Sequence, residues 1–155
     1  MKIVRAMKKW KRLLGEINDV KSRTNEAVRT LEENEYLEEL PVLKEMLSTK
    51  ITQLVKLKTR IMHTNVKHGM YQVILELGEL KSHIEYLRGL SVQSGAEMRG
   101  YSDSKLVYKS QLTPAEKRKM IEICQGKINE LTDKLDEFNY SMDVEEMSVV
   151  VQPLP

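Results

Sequence analysis

Cysteine, tryptophan and phenylalanine each occur once in this 155-residue chain, beside only seven glycines and four prolines. A lone Cys124 excludes an intramolecular disulfide and fits a reducing compartment, or one indifferent to redox state. It lies on an apolar stripe, so it reads as a buried, inert thiol. Aromatic residues at 5% and sparse turn signals argue against a sheet-rich domain. No apolar run is long enough to span a bilayer. The opening Met1-Lys2-Ile3-Val4-Arg5 intersperses charge and lacks the apolar core of a secretory signal, so a soluble, cytoplasmic protein is expected.

Reaction chemistry is equally scarce. The chain has three histidines. It has no glycine-rich phosphate loop, Cys-x-x-Cys, His-Glu-x-x-His or Gly-x-Ser-x-Gly. His63 and His68 stand five apart, about 140° around a helix, which makes them poor co-ligands. The last helix also lacks the repeated Glu-x-x-His of a carboxylate-bridged metal bundle. No catalytic, metal-binding or cofactor-binding residue is assigned, and a non-enzymatic protein is expected.

What is present is helical periodicity. Hydrophobic residues at 41% with charged residues at 31% suit an elongated helical protein. Four helices are expected at about 2–31, 42–66, 70–92 and 114–140, as one helical domain over 1–143 with an extended tail over 144–155. The first carries a seam of Ile3, Met7, Trp10, Leu14, Ile17, Val20, Thr24, Val28 and Leu31. The second carries Leu47, Ile51, Leu54, Lys58, Ile61 and Asn65; the third Met70, Val73 or Ile74, Leu77, Leu80, Ile84 and Leu87. These steps of three and four lie near the 3.5 period of a supercoiled pair. Between them the hinge Thr64-Asn65-Val66-Lys67-His68-Gly69, with Gly69 free to take positive φ, predicts an αα-hairpin. Asn65 is either a buried register pin or an amide capping the helix end.

The last helix has the clearest start. Thr113-Pro114-Ala115-Glu116 is a capping box with proline in the first turn. A seam of Ile121, Cys124, Ile128, Leu131, Leu135 and Phe138 follows. Before it, Lys105-Leu106-Val107-Tyr108-Lys109 reads as a short strand within an extended segment near 101–110. A lone strand leaves backbone groups unpaired, so a partner is expected in Val149-Val150-Val151 or in another subunit. The fold class is therefore all-α, an elongated antiparallel helical bundle or coiled coil of about four helices.

Charge alternates in blocks although the net is only +2. Residues 1–31 hold nine basic and three acidic side chains, and 49–68 hold five basic and none acidic. Between them Glu32, Glu33, Glu35, Glu38, Glu39 and Glu45 face only Lys44; these read as a connector, with Pro41 restarting the next helix. Such blocks help helices choose partners more often than they mark a nucleic-acid surface. The basic start (Lys2, Arg5, Lys8, Lys9, Lys11 and Arg12 around Ile3, Val4, Met7 and Trp10) has three readings. Its apolar stripe packs in the bundle while the lysines face water, it lies on an anionic membrane surface, or it grips nucleic-acid phosphates.

In order and spacing, residues 5–143 resemble a septicolysin-like family of small, uncharacterised bacterial helical proteins. The resemblance rests on Trp10-Lys11-Arg12-Leu13 with Lys21-Ser22-Arg23, and on Ile61-Met62-His63-Thr64-Asn65, similar to an Ile-x-x-Thr-Asn signature. It continues in Leu87-Arg88-Gly89-Leu90, in Tyr101-Ser102-Asp103-Ser104-Lys105, with lysine in place of glutamate, and in Leu135-Asp136-Glu137-Phe138-Asn139-Tyr140, spaced shorter than the family ending. The hinge is shorter and lacks the family's Asp-Gly-Gly loop. The resemblance implies no established chemistry, though the family name suggests membrane activity. The expected role is a structural or interaction protein that self-associates through its seams. A membrane-surface role is the alternative, and weak nucleic-acid binding a more distant third.

Overall fold

The computed structural model describes residues 1–98 and 105–154. It contains helices α1 (Ile3–Ala27), α2 (Leu40–Lys67), α3 (Met70–Gly89) and α4 (Pro114–Ser141), with strands β1 (Gly95–Met98) and β2 (Lys105–Tyr108) between α3 and α4. The protein is thus all-α with one small antiparallel sheet. The chain divides into two compact units, Met1–Tyr71 with Glu137–Pro155, and Gln72–Asp136.

In the first unit α1 packs on α2. Ile3, Ala6, Leu13 and Ile17 meet Leu54, Leu57, Ile61 and Val144, and Trp10, Leu47, Ile51, Phe138 and Met142 close around them. Val20 and Ala27 continue the contact onto Leu43. The buried side of α1 is one position away from the expected seam. Ala6, Leu13, Val20 and Ala27 are enclosed, whereas Met7, Leu14 and Val28 are exposed. Both rows flank Ile3, Trp10 and Ile17, and the row carrying alanines lets the α2 backbone come closer. On α2, Leu57 takes the place expected for Lys58, because a methyl-tipped side chain enters the core without desolvating a charge.

Helix α1 ends at Ala27, four residues short of expectation, and the acidic connector is not helical. Arg23 pins it by a two-point contact with Glu38. The far end of the chain returns to this unit. After α4, Val144 enters the core and residues 142–154 run without helix back along α2. The path starts with the Glu145 N–H donating to Thr64 Oγ1 at 3.0 Å and ends with the Leu154 N–H donating to Ser48 Oγ at 3.3 Å. Met147, Val149 and Val151 are half-buried while Ser148 and Val150 are exposed, the two-residue alternation of an extended chain on a surface.

In the second unit Val73, Leu77, Ile84 and Leu87 of α3 are buried together with Ile128 of α4. Lys117 Nζ donates to the carbonyls of Arg88 (2.8 Å) and Leu90 (2.7 Å), satisfying acceptors at the end of α3. The capping box is formed: the Glu116 N–H donates to Thr113 Oγ1 at 3.2 Å and the Thr113 N–H to Glu116 Oε2 at 2.8 Å. That pairing holds the Glu116 carboxyl below its ordinary value. Strand β2 is where expected, but its partner is neither the valine tail nor another chain. It pairs with β1 in a hairpin that sets Gly95 opposite Tyr108 and Met98 opposite Lys105. Gly95, at φ +129°, opens β1 with a backbone closed to other residues, a signal that alternation alone does not carry. The expected extended residues 101–104, and with them most of the Tyr-Ser motif, lie outside the described residues.

Candidate interaction surfaces

The six basic residues of the first helix separate into two groups. Lys2 is committed to the chain's other end: its Nζ lies 2.8 Å from Asp143 and 2.7 Å from the Ser141 carbonyl. The Ile3 N–H donates to the Met142 carbonyl and the Val144 N–H to the Met1 carbonyl, so two extended segments pair there. Lys2 and the terminal ammonium hold Asp143 below the ordinary carboxyl range. Arg5, Lys8, Lys9 and Arg12 instead line one open face, at steps of three, one and three. Arg12 reaches Glu16 at 3.4 Å, and the other three have no carboxylate partner among the described residues. Lys11 is exposed beside this face. Trp10 is turned away from it, packed on the core, with Lys58 Nζ 4.6 Å from its ring centroid.

The hinge acquires its surroundings from the tail. Thr64 and Asn65 are buried, the Thr64 hydroxyl donating to the Arg60 carbonyl at 2.8 Å. Asn65 Oδ1 is enclosed with no hydrogen-bond partner among the described residues. Gly69 takes φ +72° as the turn requires. Glu145 lies over this end of α2, with Lys67 Nζ at 2.7 Å, His68 Nε2 at 2.9 Å and His63 Nε2 at 4.0 Å. The Lys67 and His68 hydrogen bonds hold its carboxyl below the ordinary range. Arg60 grips the next residues, Nε on the Glu145 carbonyl at 3.2 Å and the guanidinium on Glu146. Among the described residues no group of three His, Cys, Asp or Glu side chains is arranged to hold a metal ion.

The α4 seam is open. Of Ile121, Cys124, Ile128, Leu131, Leu135 and Phe138 only Ile128 is buried, the rest being half-buried. Phe138 packs on the core of the first unit, its ring 5.7 Å from that of His68. Leu131 opens onto a groove of about 680 Å³ between α3 and α4. Leu75 and Leu80 of α3 share its wall, and Glu76, Glu79 and Glu130 stand around it with Lys127 and His83. Sequence reading passed over this groove because Gln72, Glu76, Glu79 and His83 look like a solvated helix face. It also missed Glu145, which lies 77 residues beyond His68. The available signal for Glu145 was a lone acidic pair in a tail without basic residues, beyond a basic helix end.

These elements define an all-helical protein carrying a short hairpin, in which no helix is long and apolar enough to cross a membrane. The chain belongs to a family of unknown function, DUF6847, whose sequence model matches residues 11–144. No curated protein and no solved structure matches the chain.

Proposed function

We propose that this is a non-enzymatic, cytoplasmic structural or interaction protein that works by self-association. The observation that carries the reading is the α4 seam, regular over five turns yet closed only at Ile128. A stripe at steps of three and four stabilises a helix when a partner covers its whole length. The second unit covers it poorly: five hydrophobic side chains are buried among its described residues, Val73, Leu77, Ile84, Leu87 and Ile128. Each further Leu or Ile enclosed by another copy contributes roughly 1.5–3 kcal/mol. Light scattering behind size exclusion is expected to give a multiple of the 18.0 kDa chain mass at tens of micromolar. A single-chain mass throughout that range overturns the reading.

The open basic face supports a second reading, in keeping with the septicolysin-like resemblance. Arg5, Lys8, Lys9 and Arg12 face solvent together, and each basic residue near an anionic membrane surface contributes about 1 kcal/mol. The apolar anchor such a helix needs is weak here, because Trp10 is packed inward. Flotation with anionic vesicles tests this reading, and absence of binding at low salt removes it.

A further inference from the structure

We propose that the acid-rimmed groove between α3 and α4 receives the basic face of α1 from a second copy of the chain. This deepens the self-association reading and rests on it. The groove has leucine walls, Leu75, Leu80 and Leu131, beneath the carboxylates Glu76, Glu79 and Glu130. None of the three acids has an ion-pair partner among the described residues; Glu76 accepts only a hydrogen bond from Gln72 Nε2, at 2.8 Å. Lys127 is the one cation at the rim, so the groove keeps an acidic excess.

The face that complements it is present on the same chain. Arg5, Lys8, Lys9 and Arg12 project together from α1. At 1.5 Å per residue this face is about 10 Å long, and the α3 wall from Gln72 to His83 is about 16 Å, so the face fits within the wall. Long basic side chains suit this floor. Their methylene stems cover leucine while their charged ends reach carboxylates at the rim. The pairing also accounts for two features that membrane contact leaves unexplained: the acids of the groove, and a tryptophan packed inward beside the basic face. Because different patches meet, the contact is heterologous, and repetition closes a ring or grows a filament according to the rotation between neighbours.

Charge reversal tests the pairing on the full chain. Lys8→Glu with Lys9→Glu, and separately Glu76→Lys with Glu79→Lys, place like charges across the contact. Each is expected to weaken association about a hundredfold, since like-charge juxtaposition costs several kcal/mol. The chain carrying all four changes, and an equimolar mixture of the two variants, are expected to recover the wild-type mass. All four positions are exposed, and helical circular dichroism confirms that each variant is folded. Wild-type mass should also fall toward one chain near 1 M salt, where the screening length is about 3 Å. An oligomer that ignores both reversals overturns this contact and leaves self-association standing, whereas a wild-type monomer removes both. Loss of anionic-vesicle binding in Lys8→Glu/Lys9→Glu with unchanged mass assigns the basic face to membrane and likewise overturns the pairing.

Discussion

Glu145 engages α2 through backbone and side chain together. Its N–H meets the Thr64 hydroxyl, its carbonyl meets Arg60, and its carboxylate meets Lys67 and His68. Those last two bonds favour the ionised form and lower its pKa. A carboxyl depressed in the folded state stabilises it above the unfolded-state value, and the contribution disappears as pH falls through the folded one. Glu145→Gln should therefore lower Tm at neutral pH, and the difference from wild type should shrink below about pH 4, the ordinary glutamate range. Thermal melts across that range check it; a gap that does not change with pH contradicts it. On α4 two residues of one seam should behave differently. Ile128 is 7% exposed, so Ile128→Ala should cost about 2–5 kcal/mol, whereas half-buried Leu131→Ala should cost less in a dilute single chain. Urea midpoints below the association range separate the two.

Among the elements, α4 is the one whose start is determined locally. Thr113 and Glu116 exchange hydrogen bonds at its first turn, and Pro114 occupies a position where no backbone N–H is needed. Thr113→Ala should cost about 0.5–2 kcal/mol, and Thr113→Asn should retain most of it. Equilibrium denaturation of the pair reads this directly; equal loss in both removes the cap as the cause. Helix α1 behaves differently. It has no side-chain cap at Lys2 and no acidic residue in its first turn. Its N-terminal end is held by pairing with residues 142–144 and its flank by α2, so it depends on tertiary contacts for stability.

At the scale of the whole molecule, the chain's two ends meet in one unit. Val144 fills the core of α1 and α2 from a position 141 residues after Ile3, and the tail beyond it covers α2 as far as Ser48. A chain ending at Met142 should lose at least the burial of Val144, roughly 1.5–3 kcal/mol, and should expose α2 to proteolysis. A truncated chain with an unchanged urea midpoint would show that the tail rests on α2 without supporting it.

What could be read without coordinates was whatever depends on near neighbours. Helix count, the Thr113 cap, the Gly69 turn and strand Lys105–Tyr108 follow from propensity and from spacings of three and four, interactions made within one turn or one strand. The shared members of the α1 seam, Ile3, Trp10 and Ile17, were legible for the same reason. Three things required the folded chain. Which flank of that seam is buried depends on how closely α2 approaches, and Ala6 against Met7 cannot be ranked by hydrophobicity. The partner of β2 depends on a glycine backbone at Gly95. The surroundings of His63, Lys67 and His68, and the acid-rimmed groove, arise where helices and tail converge across tens of residues, and pairings over such distances leave no period in the sequence for a reader to find.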